Sequence, residues 1–250
     1  VQHSFFPSSP FVIAHRGASK SAPENTISAF LKAKALGLSW VELDVRLTAE
    51  GEVIVFHDDE LQRTTTGCGN VQAYPYSYLK TLDAGSWFNP DFAYEYIPTL
   101  EEVLNCLNTH QMGVNIEIKK LSIHQTELVE KVMAILQKQS LTIPVLLSSF
   151  SYSSLLFIRK KSSEARIGFL MDEWLPHWQS QCDELNAETV NVNQTILNET
   201  RVQAIKASKR LVLAYTVNEI SRAKQLFAWG VEGLFSDCPP DFLTAIKGIE

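Results

Sequence analysis

The chain has 250 residues, 45% hydrophobic and 20% charged, with a formal net charge of -6, a balance that suits one large globular domain spanning 1–250. With no extended basic stripe, nucleic acid is excluded as an expected partner, and Arg159-Lys160-Lys161 reads as a solvated helix end. No apolar run is long enough for a transmembrane segment, and Cys68, Cys106, Cys182 and Cys238 stand singly, which argues against a zinc knuckle or a thioredoxin-like motif.

The opening "VQHSFFPSSP" lacks the basic and long apolar regions of a signal peptide. Cytoplasmic residence is therefore the default expectation, with periplasmic or secreted residence left open. A first strand, "FVIAHR" (11–16), leads to "ENTISAFLKAKALG", where Ile27, Phe30, Leu31, Ala35 and Leu38 recur at helical spacing and Gly37 stands at a C-cap. "WVELDVRL" (40–47) alternates strictly, with Val41, Leu43, Val45 and Leu47 on one face and Glu42, Asp44 and Arg46 on the other. A third strand, "EVIVFHD" (52–58), precedes an irregular excursion over about 60–98, rich in Thr, Gly, Tyr, Asn and Pro, with at most short helical turns. Such a loop is either functional or a variable surface insertion.

Helix and strand then alternate. "TLEEVLNCLN" precedes a strand at 113–119, "QTELVEKVMAILQKQ" one at 144–150, and "SYSSLLFIRKK" one at 165–171. A seventh strand follows at 189–194, then "ETRVQAIKAS", a strand at 210–217, "EISRAKQLFAWG", a strand at 232–237 and "PPDFLTAIKG". Nine strands alternating with helices define an α/β chain, compatible with a doubly wound sheet or a (β/α)₈ barrel.

Polar residues gather at the strand ends: His15 and Arg16, Glu42 and Asp44, His57 and Asp58, Glu117 and Lys119. In parallel α/β architectures these ends converge on one ligand site. Glu42, Asp44 and Glu117 facing inward repel one another and are costly to bury unless cations offset them. Arg46 and Lys119 are candidates for part of that, and an oxygen-seeking divalent cation, Mg²⁺ or Ca²⁺, is the sharper answer; an internal salt-bridge network is the other. Because hard cations favour oxygen, His15 and His57 are assigned to proton transfer rather than to the ion.

The ordered segments "AHRGAS", "APENTISAF", "VELDVRLTAEGEVIVFHDD", "LQRTTTGCGNV", "LDAGSWF", "IPTLEEVL", "NIEIK", "SSF", "YTVN" and "SDCP" together resemble the glycerophosphodiester phosphodiesterase family over nearly the whole chain. The resemblance implies a (β/α)₈ TIM barrel with a family-type insertion after the third strand. It implies hydrolysis of small-molecule glycerophosphodiesters, such as glycerophosphocholine or glycerophosphoethanolamine, to sn-glycerol 3-phosphate and an alcohol. It makes His15 and His57 catalytic, Glu42, Asp44 and Glu117 metal ligands, Arg16 a phosphate contact and Lys119 a lysine beside the site.

By position, Phe150, Tyr215, Asn218 and Asp237 are expected to line the pocket, and Tyr215 stands where the family commonly has Trp. Trp87, Phe88 and Trp174 are candidates for a cation–π contact to a choline head group if they face the mouth. His15 is assigned as base and His57 as acid. A related lipid-directed barrel would be expected to carry an apolar membrane-binding rim, and the insertion points away from it. A non-catalytic binding module conflicts with retention of both histidines and all three carboxylates.

Overall fold

In a computed structural model, which describes residues 5–8, 10–120, 124–239 and 242, the alternation in the sequence becomes a sheet whose two ends meet. Its strands are β1 (Phe11–Ala14), β2 (Trp40–Leu47), β3 (Val53–Val55), β4 (Gly113–Ile118), β5 (Val145–Ser149), β6 (Arg166–Met171), β7 (Thr189–Asn193), β8 (Leu211–Tyr215) and β9 (Gly233–Ser236). The order β1-β9-β8-β7-β6-β5-β4-β2 closes through β1–β2, and every pairing in that ring is parallel. The fold is the expected (β/α)₈ barrel.

The third predicted strand needs correcting. β3 is three residues long, pairs antiparallel with the far end of β2 (Val45↔Val55, Leu47↔Val53) and stands outside the ring. Its orientation follows from length: β4 covers β2 only as far as Val45, so the last residues of β2 overhang the rim and need another partner for their backbone groups. β3 supplies it and carries the chain back toward the mouth, where the Phe56 N–H donates to the Asp44 carbonyl. His57 and Asp58 therefore reach the site from the returning loop rather than from the end of a barrel strand.

Among the described residues seven helices cover the strands: α1 (Ile27–Ala35), α3 (Leu100–Thr109), α4 (Gln125–Lys138), α5 (Tyr152–Lys161), α6 (Trp178–Leu185), α7 (Glu199–Ala207) and α8 (Ile220–Ala228); the four-residue α2 (Tyr76–Leu79) lies in the excursion. Side-chain caps set several starts. Thr26 accepts from the Ala29 N–H, and Thr99 with Glu102 forms a reciprocal capping box that ends the excursion. α6 is not among the helices expected from periodicity, and the helix expected over 239–248 lies largely outside the described residues. Among the described residues no helix is long and apolar enough to cross a membrane.

Two apolar layers sandwich the barrel wall. Outward-facing Val41, Leu43, Val45 and Leu47 join the helices in the main core. Inward-facing Phe11, Ile13, Trp40, Leu146, Leu213 and Phe235 pack with Phe6 in a separate cluster, and Phe6 stacks on Trp40 at 4.9 Å. The inward file of β2 thus reads Trp40, Glu42, Asp44, Arg46: an aromatic base, then two carboxylates, then an arginine at the overhang. The excursion is not a loose insertion, since Phe56, Leu61, Val71, Leu79, Leu82, Ala84 and Ile97 pack with Ile54 into a core of their own.

The turn after β1 is tight. Arg16 and Gly17 both have positive φ (55° and 80°), and a Cβ on Gly17 would lie 2.6 Å from the Ala29 Cβ and 2.7 Å from its carbonyl carbon. Backbone strain and this clash together predict that Gly17→Ala costs about 2–4 kcal/mol, measurable by urea unfolding. A loss below about 0.5 kcal/mol would show that the turn relaxes freely.

Candidate active site

The barrel registers bring like charges together. Asp44 on β2 lies directly opposite Glu117 on β4, and Glu42 and Asp44 are almost fully buried. One oxygen from each of Glu42, Asp44 and Glu117 falls within a 4.8 Å cluster. Burial, and then the neighbouring Asp44, push the Glu42 carboxyl up to about 8 and Glu117 above its ordinary value. Burial acts the same way on Asp44, yet Lys119 and Arg16 outweigh it and hold that group well below the usual carboxylate range.

The cations are Arg16 and Lys119. Lys119 Nζ donates to Glu117 Oε1 at 2.8 Å and lies 3.3 Å from Asp44 Oδ1. Arg16 Nε lies 3.3 Å from Asp44 Oδ2, and the Arg16 backbone N–H donates to Glu42 Oε2 at 2.9 Å, an aim made possible by its left-handed backbone. Arg46, expected to share this duty, turns elsewhere: its Nε donates to the His57 carbonyl at 2.7 Å and its Nη1 to Asp59. From the overhang of β2 it clamps the returning loop and leaves the carboxylates to the other two.

A cation fits what remains. Glu42 Oε1 is buried without a hydrogen-bond partner, a costly state for a carboxylate oxygen, and Asp44 Oδ1 makes no hydrogen bond beyond its ion pair with Lys119. With Glu117 they offer the all-oxygen donor set that Mg²⁺ or Ca²⁺ takes.

Each histidine rests on its own carboxylate. β1 and β9 run in register to Ala14↔Ser236, so the next residues, His15 and Asp237, meet, and His15 Nδ1 hydrogen-bonds Asp237 Oδ1 at 2.7 Å. Burial works against the charged ring, but Asp237 and then Glu42 outweigh it and hold the His15 pKa above the ordinary value. His57 Nδ1 hydrogen-bonds Asp58 Oδ1 at 2.6 Å. Burial, helped by Arg16 and Lys119, outweighs Asp44 and Asp58 there and holds His57 below the ordinary value. In both rings Nδ1 is engaged, and His15 Nε2 lies 3.9 Å from Glu42 Oε2.

A cavity of about 190 Å³ is lined by His15, Arg16, Glu42, His57, Glu117, Lys119, Phe150 and Tyr215, together with Asn115, Leu170, Thr216 and Phe235. Nine of the eleven residues expected at the site from sequence converge here, counting Asp44 through its carboxylate contacts; Asn218 and Asp237 do not line this cavity. Tyr215 meets Phe150 edge to face at 5.9 Å and donates its hydroxyl to the Met171 carbonyl. Asn218 does not line this cavity; its amide donates to Asp237 Oδ2 at 2.7 Å while its Oδ1 accepts from the Asp237 N–H, so it fixes the carboxylate behind His15. Trp174 does not line this cavity and packs on Trp178 and beneath Arg201.

Sequence reasoning missed Glu24, Asn25 and Arg63. Asn25, itself left-handed, donates to Asp44 Oδ2 at 2.9 Å. Arg63, from the excursion, forks onto Asp58 (2.6 and 2.9 Å) and onto Glu24 (2.7 and 2.8 Å). Glu24 in turn accepts from Arg16 at 2.9 Å. One guanidinium thus joins the carboxylate behind His57 to the one behind Arg16. Glu24 and Arg63 lie within the "APENTISAF" and "LQRTTTGCGNV" segments, which were the available signal, but nothing in the spacing pairs two loops 39 residues apart.

The glycerophosphoryl diester phosphodiesterase family model matches residues 15–240. A glycerophosphodiester phosphodiesterase of Caldanaerobacter subterraneus is 32% identical, over 94% of this chain and 97% of its own. A putative glycerophosphodiester phosphodiesterase of Bacillus subtilis is 37% identical, over 93% and 96%. Among solved structures, an Oleispira antarctica phosphodiesterase in complex with its product sn-glycerol-3-phosphate superposes with a TM-score of 0.92 at 36% identity, covering 96% of this chain and 97% of that one.

Arg63 is a positioning residue, and Arg63→Ala is expected to lower turnover about 10–100-fold. Arg63→Lys should recover little of it, because one ammonium cannot fork onto two carboxylates. Steady-state kinetics beside an unfolding curve checks this: turnover close to wild type in both variants would show that the bridge does not hold His57.

Proposed function

The chain belongs to the glycerophosphoryl diester phosphodiesterase family, and on that premise we propose that it hydrolyses glycerophosphodiesters such as glycerophosphocholine and glycerophosphoethanolamine to sn-glycerol 3-phosphate and an alcohol. Convergence of both histidines, the carboxylate cluster, Arg16 and Lys119 on one cavity is the observation that carries this reading.

A phosphodiester anion repels nucleophiles, so the site must first neutralise its nonbridging oxygens. Arg16 and Lys119 do so from the protein. Glu42, Asp44 and Glu117 would hold the divalent cation, which when bound supplies further positive charge there. Phe150, Leu170 and Tyr215 give the glycerol carbons an apolar wall.

The surroundings of the two rings favour the reverse of the order expected from sequence. His57, whose pKa burial lowers, suits the base: its Nε2 takes the proton as an oxygen, from water or from the neighbouring glycerol hydroxyl, bonds to phosphorus. His15, whose pKa Asp237 and Glu42 raise against burial, suits the acid: its Nε2 gives a proton to the alcohol oxygen as the P–O bond breaks. If the glycerol hydroxyl attacks, the cyclic phosphate is opened by water with the roles exchanged.

Two measurements test this. Release of sn-glycerol 3-phosphate from both diesters is expected to stop on chelation and return with Mg²⁺ or Ca²⁺ added singly; undiminished release in chelator would remove the cation from the reading. The p-nitrophenyl ester of glycerol 3-phosphate needs no acid for its leaving group. His15→Ala should therefore lose about 10²–10⁴-fold on glycerophosphocholine but far less on this ester, whereas His57→Ala loses heavily on both. The opposite pattern would restore His15 as base.

A further inference from the structure

A second cavity, about 360 Å³, opens beside the first and shares His15 and Arg16 with it, but not His57; Trp87 and Phe88 of the excursion form one wall, and Lys20 and Asp237 border it. The geometry points to this cavity as the seat of the departing alcohol, with Trp87 and Phe88 as its contact surface and Lys20 setting the charge it prefers. The inference rests on the phosphodiesterase reading above and adds the half of the substrate that reading leaves unplaced.

Phosphorus held near Arg16 and His15 sits where the two cavities meet, so its two ester arms have separate places to go. The first cavity is lined by both His15 and His57. The second contains His15 alone of the two histidines, so an alcohol seated there lies on the side of the phosphorus away from His57.

The wall is preformed. Trp87 donates its indole N–H to the Ala84 carbonyl at 2.8 Å and meets Phe88 edge to face at 5.7 Å, yet Trp87 remains 41% exposed, leaving ring surface for a ligand. The carboxylates at this cavity are already committed, Glu24 to Arg16 and Arg63 and Asp237 to His15, Ser19 and Asn218. Lys20 is exposed and, among the described residues, has no ion-pair partner. The one uncompensated charge at the rim is therefore positive. Stacking on the rings accepts the carbon face of a compact polar alcohol, and Lys20 biases the site toward neutral or anionic alcohols over cationic ones.

The test compares kcat/KM for glycerophosphocholine and glycerophosphoinositol, which share the glycerol phosphate half, in wild type, Trp87→Ala and Lys20→Glu, and measures inhibition by sn-glycerol 3-phosphate in each. Trp87→Ala should lower kcat/KM about five- to tenfold while the inhibition constant of sn-glycerol 3-phosphate moves less than about twofold. Lys20→Glu should raise the choline-to-inositol ratio at least about threefold, an effect that fades with added salt. If Trp87→Ala weakens sn-glycerol 3-phosphate in the same proportion as the diesters, the cavity holds glycerol and the proposal is overturned. Unchanged ratios and unchanged kcat/KM in both variants would place the alcohol in open solvent and overturn it equally. The exposed Lys20 keeps the test alive should Trp87→Ala fold poorly, and absence of hydrolysis by wild type would instead overturn the phosphodiesterase reading itself.

Discussion

Asp44 and Glu117 face each other across one rung of a parallel sheet, with Glu42 two residues below, all within the wall of the barrel. Charges so placed cannot be left to water, and much of the mouth is built to answer them. Arg16 and Lys119 reach in directly, Glu24 then balances Arg16, and Arg63 bridges Glu24 to Asp58. Five acidic groups in this network, Glu42, Asp44, Glu117, Glu24 and Asp58, face three permanent cations, Arg16, Lys119 and Arg63, an excess that a bound divalent ion would offset. The backbone serves the same balance, since the left-handed Arg16 spends its N–H on Glu42 and the left-handed Asn25 spends its amide on Asp44.

Much of this was legible in the chain because strand periodicity is a strong constraint. Once Val41, Leu43, Val45 and Leu47 face the helices, Glu42 and Asp44 must face the barrel interior. The same logic failed for Arg46, because period two gives a side and not a height: two further residues along, the inward side is already above the rim. β3 was visible as a strand, but alternation carries no direction, and its antiparallel course depends on the overhang of β2. α6 escaped notice for a different reason. Its buried face is Trp178, Cys182 and Leu185 in a polar stretch, and its N-cap residue, His177, makes no side-chain cap.

The finer roles were the least legible. Asn218 lies near the mouth as expected, but only the pairing of the segments after β8 and β9 shows that its amide is spent on Asp237. Arg63 sits in an irregular segment, where neither period nor spacing relates it to Glu24. The direction in which each histidine's pKa is pushed also depends on the fold, with Asp237 and Glu42 raising one and burial with Arg16 and Lys119 lowering the other, and these meet only in the folded chain.

The excursion with its separate core divides the site by origin. The carboxylates, Lys119 and the His15–Asp237 pair hang from registers of the closed ring, where shifting one residue would disturb every neighbouring strand. His57, Arg63, Trp87 and Phe88 belong to a segment anchored by the β2 overhang at one end and the Thr99 capping box at the other. Length and sequence can drift between those two anchors without a change of barrel register. A lineage built on this scaffold can therefore inherit its hold on one half of a diester unchanged while diversifying its appetite for the other.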